Sequence, residues 1–167
     1  NIELGRVSLR RAPTRLDEVV ESVLAIIAPK AASGRVTLEA DLPAGLAPVL
    51  ADRDRLAQII INLVDNAVKY TPEGGRVTVR ARPSGDGRVE LAVVDTGVGI
   101  SPVDLPRITE RFYRVDRARS RELGGTGLGL AIVKHLVLAH GGELRIESEP
   151  GRGTTVRVTL PAGGASA

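Results

Sequence analysis

Apolar positions along this chain follow two periods, and the boundaries between them mark most of its elements. Val7 to Arg11 alternates and is predicted as a short strand. Thr14-x-x-Asp17 resembles a capping box with Asp in place of Glu, and it opens an amphipathic helix to about Ala28. Val36 to Ala40 alternates again, Leu42-Pro43-Ala44-Gly45 turns, and Pro48 to Ala51 is short and extended. Asp52 then caps a helix over roughly Arg53 to Tyr70, whose Leu56, Ile59, Ile60, Leu63, Val64 and Ala67 keep helical spacing. Thr71-Pro72-Glu73-Gly74-Gly75 ends it. Arg76 to Arg82 and Arg88 to Val94 read as a hairpin around Ser84-Gly85-Asp86-Gly87. Asp95 to Gly125 keeps no sustained period, and so long a loop inside a domain is usually a functional lid. A third helix runs from about Gly127 to Ala139, and Glu143 to Glu149 with Thr154 to Leu160 form a second hairpin. Three helices and mostly antiparallel strands predict an α+β fold, a two-layer sandwich. The domain is expected over residues 9–161, with residues 1–8 as linker and residues 162–167 as a disordered tail.

Composition narrows this picture. At 167 residues the chain reads as one domain. With one Phe, two Tyr and no Trp, its core must be aliphatic. No apolar run approaches the ~20 residues of a membrane span, and no stretch reads as a signal peptide. The absence of cysteine excludes disulfides and thiolate metal sites and suits a cytoplasmic domain. The net charge of +3 is modest, but Arg107, Arg111, Arg114, Arg117, Arg119 and Arg121 cluster. Asp104, Glu110, Asp116 and Glu122 are interspersed, so this cluster reads either as a solvated face or as an anion-binding segment. Nucleic acid is disfavoured, because only Phe112 and Tyr113 offer stacking rings there.

Three stretches carry candidate chemistry. Gly124-Gly125-Thr126-Gly127-Leu128-Gly129-Leu130 precedes the third helix. Glycines let successive N–H groups converge, and a helix N-terminus adds its own unpaired donors and positive dipole end, which together suit phosphates. The plain alternative is a turn that breaks structure. No P-loop motif occurs, and Gly97-Val98-Gly99 lacks the third glycine of the dinucleotide fingerprint. On the second helix, spacings of three and four put Asn62, Asn66 and Lys69 on one face, with Asp65 beside them. Asparagine is a mediocre helix former; these two are either polar filler or oxygen ligands for Mg²⁺, with Lys69 reaching a phosphate. Asp95 ends a strand before Thr96-Gly97-Val98-Gly99 and either turns the chain or accepts from an adenine amino group.

Taken together the motifs resemble a known family. Asn62-Leu-Val-Asp-Asn66-Ala-Val-Lys69-Tyr70-Thr-Pro is similar to the N box of bacterial sensor histidine kinases, and Asp95-Thr-Gly97-Val-Gly99-Ile100 to their first glycine box. Glu110-Arg-Phe112-Tyr-Arg114-Val-Asp is similar to the F box, and Gly125-Thr126-Gly127-Leu128-Gly129-Leu to the second glycine box. All four stand in the family's order, across roughly Val7 to Pro161. The chain resembles the catalytic ATP-binding domain of a two-component sensor histidine kinase, in the GHKL superfamily with its Bergerat-type fold. Its lid segment looks most like the phosphate-regulon type.

The resemblance implies roles. Asn66, with Asn62, would hold Mg²⁺. Lys69 and Arg114 would contact phosphates, and Asn66, Lys69 and Arg114 would be the catalytic set. Tyr70 would pack by the base and Asp95 would read adenine. Gly97, Gly99, Gly125, Gly127 and Gly129 would let backbone approach ATP, alongside Ile100, Phe112, Thr126 and Leu128. Phe112 to Gly125 would form the ATP lid. The superfamily's ATPases (gyrase, the ninety-kilodalton heat-shock chaperone, mismatch-repair proteins) place a Glu base four residues before the Mg²⁺ Asn. Here that residue is Asn62, and an amide cannot take the proton. That favours a kinase over an ATPase, with an anti-sigma-type serine kinase or a non-catalytic ATP-sensing module as alternatives. The family's acceptor is a His followed by an acid, but His135 precedes Leu136 and His140 precedes Gly141, so both read as structural. The acceptor is expected on a dimerisation helix of the parent protein outside this chain. A response regulator would act downstream, and the parent would be an inner-membrane sensor with this domain in the cytoplasm.

Overall fold

The computed structural model describes residues 9–85, 87–97 and 129–163. Within them the order is β1 (Ala12–Thr14), α1 (Leu16–Ser33), β2 (Thr37–Asp41), β3 (Val49–Ala51), α2 (Arg53–Lys69), β4 (Arg76–Pro83), β5 (Arg88–Asp95), α3 (Gly129–Ala139), β6 (Glu143–Glu149) and β7 (Gly153–Pro161). Five strands form one sheet in the order β2-β4-β5-β7-β6, and β1 pairs with β3 in a small second sheet. Only β2 and β4 run parallel within the large sheet; its other pairs are antiparallel. The result is the expected α+β sandwich, helices in one layer and a mixed sheet in the other.

Strand alternation decides which face the helices cover. Val77, Val79 and Ala81 of β4, Val89, Leu91 and Val93 of β5, and Val158 and Leu160 of β7 are all buried. Leu56, Ile59, Ile60, Leu63 and Val64 of α2 join the same core, with Val19, Val20 and Val23 of α1 and Val133, Leu136 and Val137 of α3. The core is aliphatic, as composition requires, and each such side chain contributes about 1.5–3 kcal/mol on burial. The helix α2 lies between α1 and α3 and over β4 and β5.

Four boundaries differ from the sequence reading. The first strand lies at Ala12–Thr14, and Arg11 precedes it. The capping box at Thr14 does not form. Thr14 is buried, and its hydroxyl lies 2.9 Å from the Ala12 carbonyl and 3.1 Å from that of Ala51, so β3 has claimed it. Arg15 becomes the N-cap without a side-chain bond, and Asp17 pairs with Arg15 instead. The helix α1 continues past Ala28, through Pro29 to Ser33. Pro29 deprives only the Ala25 carbonyl of its donor, and both residues are exposed, so water can replace it. Finally, order extends beyond residue 161. Ala162 bridges Val49, and Gly163 donates to the Pro48 carbonyl at 2.8 Å. Exit and entry of the domain therefore both pair with the β3 segment.

Candidate nucleotide site

The C-terminal half of α2 and the end of β5 come together. Asp52 accepts from the Arg55 N–H at 3.2 Å and so starts α2 as expected. From there 3.6 residues per turn carry Leu56, Ile59, Ile60, Leu63, Val64 and Ala67 into the core. The same periodicity leaves Asn62, Asn66 and Lys69 at the core's margin, each half-buried. Among the described residues neither asparagine amide has a hydrogen-bond partner. Neither amide is buried away from solvent, so both oxygens are able to take water or a ligand. Lys69 is paired: Nζ lies 3.2 Å from Oδ2 of Asp65, whose Oδ1 is 2.6 Å from Nζ of Lys30.

The helix ends at Tyr70, and there the first glycine box meets it. A Cβ on Gly97 would stand 2.5 Å from the Tyr70 carbonyl oxygen and 2.8 Å from Oδ1 of Asp95. Only glycine lets the chain leave β5 this close to the end of α2. Asp95 itself is fixed by two backbone donors, Gly97 N–H at 2.8 Å and Thr154 N–H at 3.2 Å, both to Oδ1. Among the described residues Oδ2 receives neither of them. Burial pushes the Asp95 carboxyl above the usual carboxylate range, against the pull of those two N–H groups. A half-buried carboxylate with one oxygen anchored and the other available is a built acceptor.

Thr154 was not evident in the sequence. It lies 59 residues from Asp95 and belongs to no local motif. The antiparallel register of β5 and β7 brings the two opposite each other. Gly153 allows it, since a side chain there would collide with the Asp95 carbonyl. Ser148 extends the row, its Oγ lying 2.9 Å from the Gly153 carbonyl and 2.8 Å from Oγ1 of Thr154. Gly129, the last glycine of the second box, opens α3. Of the other expected site residues, Gly99, Ile100, Phe112, Arg114, Gly125, Thr126, Gly127 and Leu128 lie outside the described residues, as does the arginine cluster.

Of the two histidines, His140 is fully buried with both ring nitrogens engaged, to the Asp52 N–H and the Leu136 carbonyl. Among the described residues no helix is long and apolar enough to cross a membrane.

Comparison with known proteins shows the family. Residues 51–164 match the family described as histidine kinase-, DNA gyrase B- and HSP90-like ATPases. The chain belongs to this family, and as a member it is an ATP-binding domain. It is 43% identical over 165 residues to the sensor-like histidine kinase SenX3 of Mycolicibacterium smegmatis, a match covering 96% of this chain and 42% of that protein. It therefore spans less than half the length of that relative. Among solved structures it is similar to full-length ShkA in complex with AMPPNP, at 35% identity and TM-score 0.84, over 96% of this chain and 33% of ShkA. It is also similar to the mycobacterial sensor histidine kinase MprB, at 33% identity and TM-score 0.78, over 92% of this chain and 99% of that one. The domain is thus of the histidine-kinase type within the family.

Proposed function

We propose that this domain binds Mg-ATP and delivers the γ-phosphoryl group to a histidine on a dimerisation helix of its parent protein, outside this chain. The observation that carries the reading is the junction of Asp95 with the end of α2. Oδ1 of Asp95 is spent on Gly97 and Thr154, which frees the other oxygen to accept from an adenine amino group. A nucleotide with its base held there would have Tyr70 beside the base and Asn62, Asn66 and Lys69 available to its phosphates. The donor set suits Mg²⁺, a hard cation that prefers oxygen. Asn62 and Asn66, one turn apart, offer two amide oxygens that the fold leaves unspent. When bound, the metal would neutralise charge on the β- and γ-phosphates.

What this chain's residues do follows from their chemistry. Asp95 selects the base, Lys69 and Arg114 balance phosphate charge, and the glycines 97, 99, 125, 127 and 129 let N–H groups approach the ligand. Ile100, Phe112, Thr126 and Leu128 complete the nucleotide contacts in this reading. Asn62 occupies the position where a hydrolase needs a base, so water is left unactivated and the phosphoryl group is kept for an external nucleophile. A response regulator receives the phosphoryl group next, in a signalling system whose parent protein is a membrane-anchored sensor.

Titration calorimetry with Mg²⁺ and AMPPNP tests the binding half of this reading. Affinity in the micromolar range is expected, because association costs translational and rotational freedom. Absence of heat and of any thermal shift at millimolar ligand would refute it.

A further inference from the structure

Asp65 stands next to Asn66 on α2, yet its carboxylate is shared between two helices. Oδ1 meets Nζ of Lys30 from α1 at 2.6 Å, and Oδ2 meets Nζ of Lys69 at 3.2 Å. The side chains of Lys69 and Asp65 are only 16% and 25% exposed, whereas that of Lys30 is 48% exposed. The acid four residues before the lysine is the favourable order for an intrahelical pair, so Asp65 fixes where the Lys69 ammonium stands. That arrangement has a cost for a polyphosphate ligand. A carboxylate beside Lys69 cancels the charge that would attract the ligand, and partial burial weakens the screening of that effect.

We infer that Lys30 is a charge-balancing positioning residue, which neutralises Asp65 so that Asp65 can hold Lys69 in place while the end of α2 stays cationic toward phosphate. With Lys30 the three charges sum to one positive; without it they sum to zero. Removing the charges of Lys30 and Asp65 together restores one positive. The inference rests on Lys69 as a phosphate ligand, and it assigns a role to α1, which contributes none of the site residues expected from the sequence. A charge effect must grow with the charge of the ligand. A packing effect would weaken every ligand alike.

The test is a set of affinities of the 167-residue chain for Mg-AMPPNP, Mg-ADP and adenosine at low ionic strength, the last by competition. Lys30→Met is expected to weaken AMPPNP roughly three- to tenfold, ADP less and adenosine not at all. Lys30→Arg should keep the parent affinity, and Lys30→Met with Asp65→Asn, whose amide oxygen can still accept from the Lys69 ammonium, should recover it to within about twofold. Lys69→Met is the control for the underlying reading and should lose AMPPNP affinity selectively. If Lys69→Met does so while Lys30→Met leaves AMPPNP unchanged, the role of Lys30 is overturned and that of Lys69 stands. If Lys69→Met binds AMPPNP as tightly as the parent, the phosphate role of Lys69 fails and this inference with it. Equal weakening of all three ligands by Lys30→Met also overturns it, as a structural effect.

Discussion

The backbone N–H of Asp52 donates to Nε2 of the buried His140 at 3.1 Å, tying the N-cap of α2 to the C-terminal end of α3. An N–H can only donate, so the ring proton sits on Nδ1, which donates to the Leu136 carbonyl at 2.7 Å. The Asp52 carboxylate accepts from Arg55 N–H at the start of α2 and, at 3.0 Å, from Arg10 N–H in the entering chain. Asp52 thereby joins the chain's entry, the helix carrying the amides and, through His140, the helix that opens at Gly129.

His140→Ala should therefore destabilise the fold without touching the nucleotide directly. It removes a packed ring and strips partners from the Asp52 N–H and the Leu136 carbonyl. A loss of about 2–4 kcal/mol is expected in chemical denaturation. A loss below about 0.5 kcal/mol would contradict the structural role of this residue.

Gly97→Ala tests the approach of β5's end to α2. The new methyl would meet the Tyr70 carbonyl, which is backbone, and the Asp95 carboxylate, whose Oδ1 the Thr154 N–H holds in place. The chain must shift, at about 1–3 kcal/mol, and Asp95 must shift with it. Calorimetry should show AMPPNP binding weakened by roughly tenfold or more, which corresponds to about 1.4 kcal/mol. Parent-like affinity would mean that the close approach is irrelevant to binding.

Asp95→Asn should separate stability from function. Burial raises the Asp95 carboxyl, so the fold favours its protonated form. The stability this group adds is present below the free carboxylate range and is lost as pH rises through the raised value; at neutral pH its charge is a net cost. Asparagine keeps an Oδ1 for Gly97 and Thr154 and removes that charge. Its amide cannot match a carboxylate as acceptor for the adenine amino group, where a charged hydrogen bond is worth roughly 1.5–3 kcal/mol. Thermal melts at pH 7 should rise by about 1–3 °C while ATP binding falls. A lower melting temperature, or unchanged preference for ATP over GTP, would count against the assignment.

The residues that sequence reading found and those it missed differ in kind. The α2 amides and Asp95 were legible because a helical period and a strand end place them without knowledge of the rest. Thr154 and Lys30 were not, because each meets its partner, Asp95 or Asp65, through tertiary pairing, one by the β5–β7 register and one across two helices. Thr14 misled for the same reason: its sequence fits a cap, but pairing of β1 with β3 offers its hydroxyl a buried carbonyl instead. The end of the domain was placed too early because Ala162 and Gly163 have no pattern of their own and are held by tertiary pairing, to the β3 segment and, through the Ala162 N–H, to the Gly87 carbonyl.

The central claim is that this domain carries a phosphoryl group to a histidine it does not itself contain. Its most direct test is incubation with γ-labelled ATP and Mg²⁺, with and without the parent's acceptor helices supplied as a separate domain. The chain alone should neither label itself nor release phosphate at a useful rate, since a general base typically supplies 10²–10⁴-fold and Asn62 is not one. With the acceptor domain present, acid-labile label should appear on that domain's histidine, and Asn66→Ala should lower its rate by about 10²-fold or more while leaving the chain folded. Label on His135 or His140 of the isolated chain, rapid phosphate release, or undiminished transfer by Asn66→Ala would contradict it.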